Sequence, residues 1–240
     1  MFENIELVVF DLSGTTVQDD NAVAKSLFEA AKEFELGVTL EDFEKTIGTN
    51  KIKLYQYMIA KSRGEDVTID MLEKGNFESY YDEALKIFDR YTTIMIEYYR
   101  SNVAAMPGAE NVFNWLHEEG IKIATDTGFH QDVNEAIMEG LRWREEGLID
   151  LSVNVETTGG VGRPAPFMIF HAMKTLDIQS VHNVIKVGDT PADLLSGVNA
   201  GCAGKIGVLS GANSIDVLGK YRHTHILKSI EELPDLLPSN

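Results

Sequence analysis

Residues 5–16 read IELVVFDLSGTT, and the junction inside this stretch sets the fold. Residues 5–10 are apolar except Glu6, the composition of a strand buried on both faces of a parallel sheet. Asp11 follows at once, and then a turn-like LSGTT. A carboxylate at the end of a buried strand lies where open α/β sheets bind ligands, beyond the carboxyl ends of their strands.

Downstream of this junction the pattern changes. From about residue 21 to 100 the apolar spacing is near 3.6, in NAVAKSLFEAAKEF (21–34), LEDFEKTI (40–47), NKIKLYQYMIAKS (50–62) and FESYYDEALKIFDRYTTIMIEYY (77–99). Met106-Pro107-Gly108 marks a break, and NVFNWLHEEG (111–120) is a further amphipathic helix. Strands and helices then alternate: IKIATDT (121–127), QDVNEAIMEGLRW (131–143), LSVNV (151–155), APFMIFHAMKTL (165–176), VIKVG (184–188), ADLLSGVNAG (192–201), KIGVL (205–209) and a short THIL (224–227). Such alternation predicts an α/β fold, a doubly wound parallel sheet with helices on both faces. The helical stretch is then an insertion, which predicts a core of residues 1–16 and 105–240 and an all-helical cap of residues 17–104.

The bulk properties exclude some functions. The 240 residues are 44% hydrophobic and 25% charged, an ordinary globular composition. A formal net charge of −17 repels nucleic acid and anionic lipid, and no apolar run reaches the roughly 18 residues of a membrane span. Neither partner is expected. The opening MFENIELVVF carries no basic n-region before its strand pattern, so a cytoplasmic location is expected. One cysteine, Cys202, allows no internal disulfide. An acidic surface also means that any phosphate site must be locally positive, through a bound cation and a few placed Lys or Arg residues.

The ends of the predicted strands supply such a set. Asp11 follows the first, Thr127 the second, Arg163 the third and Gly188-Asp189 the fourth. An acid, a hydroxyl, a cation and a second acid from remote segments meet at one sheet edge. Gly14 lets the chain turn sharply after Asp11, and Thr15 is placed to cap that turn. Taken alone, Asp193 reads equally well as a helix cap.

DLSGTT, TDT (125–127), GRPAP (162–166) and KVGDTPAD (186–193) resemble, in order and on the expected elements, the four motifs of the haloacid dehalogenase superfamily. The resemblance spans nearly the whole chain. It implies a hydrolase in which Asp11 is the nucleophile and forms an aspartyl-phosphate. Thr127, Gly128, Arg163 and the Ser13-Gly14-Thr15 turn would hold phosphoryl oxygens. Asp11, Asp189 and the backbone carbonyl of Ser13 would bind Mg²⁺, with Asp193 in support. Hard oxygen donors of this kind suit Mg²⁺.

One departure narrows the chemistry. Most phosphatases of the superfamily carry an acid two residues after the nucleophile, and here that residue is Ser13, a poor proton donor. The phosphonatase branch, the phosphonoacetaldehyde hydrolases, also has a small residue there. In that branch a cap lysine in a Gly-x-x-Lys pattern forms a Schiff base with the substrate, and this chain has Gly48-Thr49-Asn50-Lys51. The expected reaction is hydrolysis of a small 2-oxoalkylphosphonate such as phosphonoacetaldehyde, with Lys51 as imine-forming amine. Lys51 has two other readings, an exposed helix lysine or a cation that grips substrate phosphate. The match departs from the branch at Leu54 (histidine there), Phe129 (tyrosine) and Asn21 (cysteine). Two alternatives stand beside it. One is a phosphomonoesterase for a small sugar or acid phosphate, similar to phosphoglycolate phosphatase or beta-phosphoglucomutase; the other is a non-catalytic phosphate-binding protein. His130 is expected in solvent, and Cys202 buried and inert. The aromatic helix at 77–99 offers a surface for a homodimer, although core packing explains it equally.

Overall fold

The apolar run of residues 5–10 forms β1 (Leu7–Asp11), in which every residue is buried. This computed structural model describes residues 2–46, 49–71 and 77–238. The chain divides into two compact units, one of residues Met1–Asp19 and Asn102–Asn240, the other of residues Asp20–Ser101.

The first unit is built on a six-stranded sheet in the order β3-β2-β1-β4-β5-β6, with every pairing parallel. Besides β1 these are β2 (Lys122–Thr127), β3 (Leu151–Asn154), β4 (Val184–Gly188), β5 (Gly204–Val208) and β6 (His225–Leu227). The order reverses direction between β1 and β4, the switch point at which doubly wound sheets open a crevice. On one face Leu7, Val9, Ala124, Val153 and Val184 pack with helix residues Met168, Ile169, Ala172 and Ala200 into a continuous apolar cluster.

The second unit holds the helices α1 (Ala22–Glu33), α2 (Leu40–Glu44) and α3 (Lys51–Ser62) and most of α4 (Tyr81–Asn102). Its described residues contain no strand. Along α4, Ile87, Phe88, Tyr91, Met95 and Tyr99 are buried, while Tyr81 is exposed. Residues 17–19 and 102–104, placed in the helical insertion from sequence, belong to the sheet unit. Backbone pairing holds them there: Val17 bridges to Ser13 and Ala105, and the Gln18 N–H donates to the Ala104 carbonyl.

The sheet unit is completed by α5 (Ala109–Glu118), α6 (Gln131–Leu141), α7 (Phe167–Thr175), α8 (Pro191–Ala200) and the short α9 (Ile215–Leu218). Two helices are shorter than their apolar patterns. α6 stops at Leu141 because Arg142 turns left-handed (φ 58°), and α7 starts only after Pro166. No helix is long and apolar enough to cross a membrane, among the described residues.

Candidate active site

Strand register builds the site. Asp11 at the end of β1 lies opposite Asp126 on β2, so both side chains share one face of the sheet. The next position across is Gly188 on β4, and a Cβ there would collide with the side chain of Asp193. The glycine thus leaves room for a third carboxylate in the row. Two residues earlier, β4 places Lys186 beside Val9, on the same face and fully buried.

Asp193 does two jobs with two oxygens. Its Oδ2 accepts from the Thr190 hydroxyl (2.6 Å) and the Thr190 N–H (3.2 Å), closing a capping box at the start of α8. Its Oδ1 accepts from Arg163 Nη1 and from Lys186 Nζ, the latter at 2.9 Å. Arg163 also pairs with Asp11 Oδ1 at 2.7 Å, and its Nη1 lies 3.6 Å from Asp126 Oδ1. The loop that carries Arg163 is tied to α8 by the Asn199 side-chain amide, which donates to the Pro164 carbonyl at 2.9 Å. Gly128 lies alongside, where an added Cβ would be 3.7 Å from Arg163 Nη2. Thr127 is buried, and its hydroxyl oxygen accepts from the Phe129 N–H.

Asp189 is held separately. Its Oδ2 accepts from the Ala212 N–H at 2.7 Å, its Oδ1 from the Thr15 hydroxyl at 3.3 Å, and its backbone carbonyl from the Asn213 amide at 3.1 Å. The Ser210 hydroxyl donates to the Gly14 carbonyl at 2.8 Å, so the loop after β5 grips both Asp189 and the turn after Asp11. Gly14 has φ 79°, and an added Cβ would lie 2.8 Å from Asp189 Oδ2. The turn itself is capped by Thr16, whose hydroxyl donates to the Asp11 carbonyl at 2.8 Å. Thr15, expected to cap the turn, points its hydroxyl at Asp189 instead.

The charges explain what this arrangement needs. Among the described residues the buried acidic and basic side chains are Asp11, Asp126, Asp189, Asp193 and Lys186, all at this edge. The Arg163 side chain, 12% exposed, adds a second cation. Four carboxylates against two cations leave an excess of two negative charges in a low-dielectric place, where unpaired charge is costly. The excess is unevenly felt. Burial opposes ionisation of Asp193, yet Arg163 and Lys186 bring its carboxyl down to about 2. Burial, and then repulsion from Asp193, pushes Asp189 up to about 6. Burial likewise raises Asp11 well above the usual carboxylate range, against the pull of Arg163 and with further repulsion from Asp193 and Asp189.

A divalent cation would cancel this excess. Asp11, Asp126 and Asp193 each offer a carboxylate oxygen within 4.8 Å of one another. That trio already pairs with Arg163 and Lys186, however, whereas among the described residues the Asp189 carboxyl pairs with neither cation and accepts only from Ala212 and Thr15. The donor set is all hard oxygen, which fits an Mg²⁺-like ion better than a soft metal.

Other sequence candidates fall elsewhere. The Ser13 hydroxyl donates to Asp19 Oδ2 at 2.6 Å, so a carboxylate six residues on is joined to the position that lacks its own acid. Lys51 is the first residue of α3, in the helical unit, and its Nζ donates to the Thr49 carbonyl at 3.2 Å. The Asn50 side chain caps that helix by accepting from the Lys53 N–H. Gly48, the first residue of the Gly-x-x-Lys pattern, lies outside the described residues. Leu54 is fully buried, a core residue of the helical unit. The His130 side chain is 37% exposed, and its Nδ1 pairs with Glu156 at 2.7 Å, beside the Gln131 N–H that Glu156 also accepts from. Cys202 is buried, and burial pushes its thiol up to about 12.

Sequence reasoning missed Asp126, Lys186, Asp19 and the loop at 210–213. For Lys186 a signal existed, since a lysine in an otherwise apolar buried strand must find carboxylate partners. Asp126 lay inside a quoted motif, between two threonines that drew the attention.

Residues 5–201 match the family model of haloacid dehalogenase-like hydrolase. The chain belongs to that family. Haloacid dehalogenase-like hydrolases generally use a divalent metal, in accord with the charge excess described above. Among curated relatives, a phosphonoacetaldehyde hydrolase of Bacteroides fragilis is 24% identical, covering 98% of this chain and 96% of its own. Another, of Lactiplantibacillus plantarum, is 25% identical, covering 97% and 95%. Among solved structures, a predicted phosphoglycolate phosphatase of Haemophilus somnus superposes with a TM-score of 0.76 at 16% identity, covering 98% of this chain and 99% of that one. At that identity the likeness concerns the fold alone.

Proposed function

We propose that this hydrolase cleaves the carbon–phosphorus bond of a small 2-oxoalkylphosphonate such as phosphonoacetaldehyde, with Mg²⁺ bound by Asp11, Asp189 and the Ser13 carbonyl. The observation that carries the reading is Ser13 at the place where an ester phosphatase needs an acid. A phosphate ester expels an alkoxide that must be protonated, and losing the acid costs about 10²- to 10⁴-fold in rate. A phosphonate activated as an imine expels an enamine and needs no such donor. The names of the relatives, over nearly their full lengths, support the same substrate class.

In this reading the Lys51 amine condenses with the substrate aldehyde and releases water. Bound Mg²⁺ would supply charge neutralisation between the Asp11 carboxylate and the phosphoryl oxygens. Arg163, Thr127 and Gly128 orient the phosphoryl group. Asp11 attacks phosphorus, and the C–P electron pair moves toward the iminium to give an enamine on Lys51. Hydrolysis of the enamine's imine tautomer frees acetaldehyde and Lys51, and water cleaves the aspartyl-phosphate to inorganic phosphate. Borohydride reduction in the presence of phosphonoacetaldehyde is expected to inactivate the enzyme and add a two-carbon or phosphonoethyl group to Lys51. Intact-mass and peptide-mapping spectra that show no adduct sink the reading.

One observation favours a phosphomonoesterase as the second reading. The Ser13–Asp19 hydrogen bond joins a carboxylate to the hydroxyl at the acid position. If that pair moves the proton, a phosphate ester such as phosphoglycolate is turned over without borohydride sensitivity, and Asp19→Asn lowers that rate and not its phosphonate counterpart.

A further inference from the structure

Lys186 is a buried cation for which the proposed chemistry has no use. It sits inside β4 with its stem beneath Gly197 of α8, where an added Cβ would lie 3.0 Å from Lys186 Cβ. Its ammonium donates to Asp126 Oδ1 at 2.6 Å and to the Val187 carbonyl at 3.1 Å, and it pairs with Asp193 Oδ1 at 2.9 Å. An ammonium has three protons, so it is fully occupied. Burying an ion pair in a sheet adds little stability over apolar side chains, and so stability alone gives no reason for a lysine here. What ties it to the site is the oxygen it uses. Asp193 Oδ1 is shared between Lys186 and Arg163, and Asp126 Oδ1 between Lys186 and the more distant Arg163.

We propose that Lys186 is a positioning residue that steers Arg163: by satisfying Asp126 and sharing Asp193, it leaves the guanidinium aimed at Asp11 and at the phosphoryl group Asp11 receives. Without Lys186, Arg163 is the only cation for three carboxylates and is drawn inward, away from phosphate. Asp126 is the competitor. Its other oxygen, Oδ2, is buried with no hydrogen-bond partner, so nothing else restrains its charge. The inference rests on the phosphoryl-transfer reading but not on the choice between phosphonate and phosphate ester.

Calorimetric titration with inorganic phosphate in the presence of Mg²⁺ tests it, because phosphate is the product of either reaction. The wild type is compared with Lys186→Met, Asp126→Asn and the double variant. Lys186→Met is expected to bind with unchanged stoichiometry and an affinity weaker by about tenfold or more, the usual scale for breaking a buried charge pair. The double variant is expected to recover most of that affinity, since the competing carboxylate has gone. A Lys186→Met protein whose affinity stays within about twofold of wild type, or whose loss shows only as reduced stoichiometry, makes Lys186 a structural counter-ion and overturns the proposal. Should Lys186→Met not fold, the double variant, which leaves no new unpaired charge, carries the test: weakening beyond about 100-fold contradicts the steering role. A wild type that binds no phosphate at all counts against the phosphoryl-transfer reading itself, a different failure.

Discussion

At Gly211 an added Cβ would fall within the Asp189 carboxylate, so even alanine must displace the group that the loop after β5 holds in place. Gly211→Ala is expected to cut Mg²⁺-dependent turnover by about 100-fold or more, the scale at which misplacing a group of the site is felt. Gly37→Ala, at a site with open space around it, is the control and leaves turnover unchanged. Asp189 also predicts a pH effect. Its carboxyl stands at about 6 in the folded chain against an ordinary 3.8, so the metal-free fold retains a proton that the unfolded chain has lost. Its contribution is therefore present below about pH 4 and lost as pH rises through about 6. Asp11 acts in the same sense, while Asp193, held near 2, keeps its contribution above about pH 4 and loses it only in stronger acid. A divalent cation favours the ionised carboxylates. The rise in melting temperature on adding MgCl₂ to chelator-treated protein is thus expected to grow between about pH 5 and about pH 7. A rise that is flat or shrinking over that range would mean that these carboxyls do not hold the ion.

At the scale of elements, the strands were legible because a parallel strand covered on both faces is a mostly apolar run, as at residues 7–10 and, but for Lys186, at 184–188. The same property placed Asp11 and Asp189, which stand where the runs end. It concealed Lys186 and Asp126, whose roles arise from register between β1, β2 and β4, and a single strand's sequence carries no register. Helix ends were blurred for a local reason, since the left-handed turn at Arg142 and the late start after Pro166 interrupt patterns that continue beyond them. The α8 N-terminus is the element where fold and chemistry meet, because Asp193 caps the helix with one oxygen and meets Arg163 and Lys186 with the other. Thr190→Ala removes the partner on the capping side. It is expected to lower stability by about 1 kcal/mol, the usual worth of a cap, in chemical denaturation. It is also expected to lower phosphate affinity, because Asp193 is no longer anchored. A stability loss with unchanged affinity would separate the two roles.

Over the whole molecule, a chain of net charge −17 has, among its described residues, gathered the buried charges in one place and left that place two positive charges short. The acidic surface opposes anionic substrates at long range, so capture of a phosphoryl group has to rest on local positive groups such as Arg163 at the sheet edge. The phosphonate reading, the Mg²⁺ requirement and the steering of Arg163 all presuppose that Asp11 takes the phosphoryl group. Rapid acid quench during turnover of phosphonoacetaldehyde or phosphoglycolate, followed by peptide mapping, measures this directly. The account predicts a hydroxylamine-labile phosphate on Asp11 in the wild type and none in Asp11→Asn, which is also inactive. Phosphate on another residue, or turnover by Asp11→Asn at the wild-type rate, would contradict it.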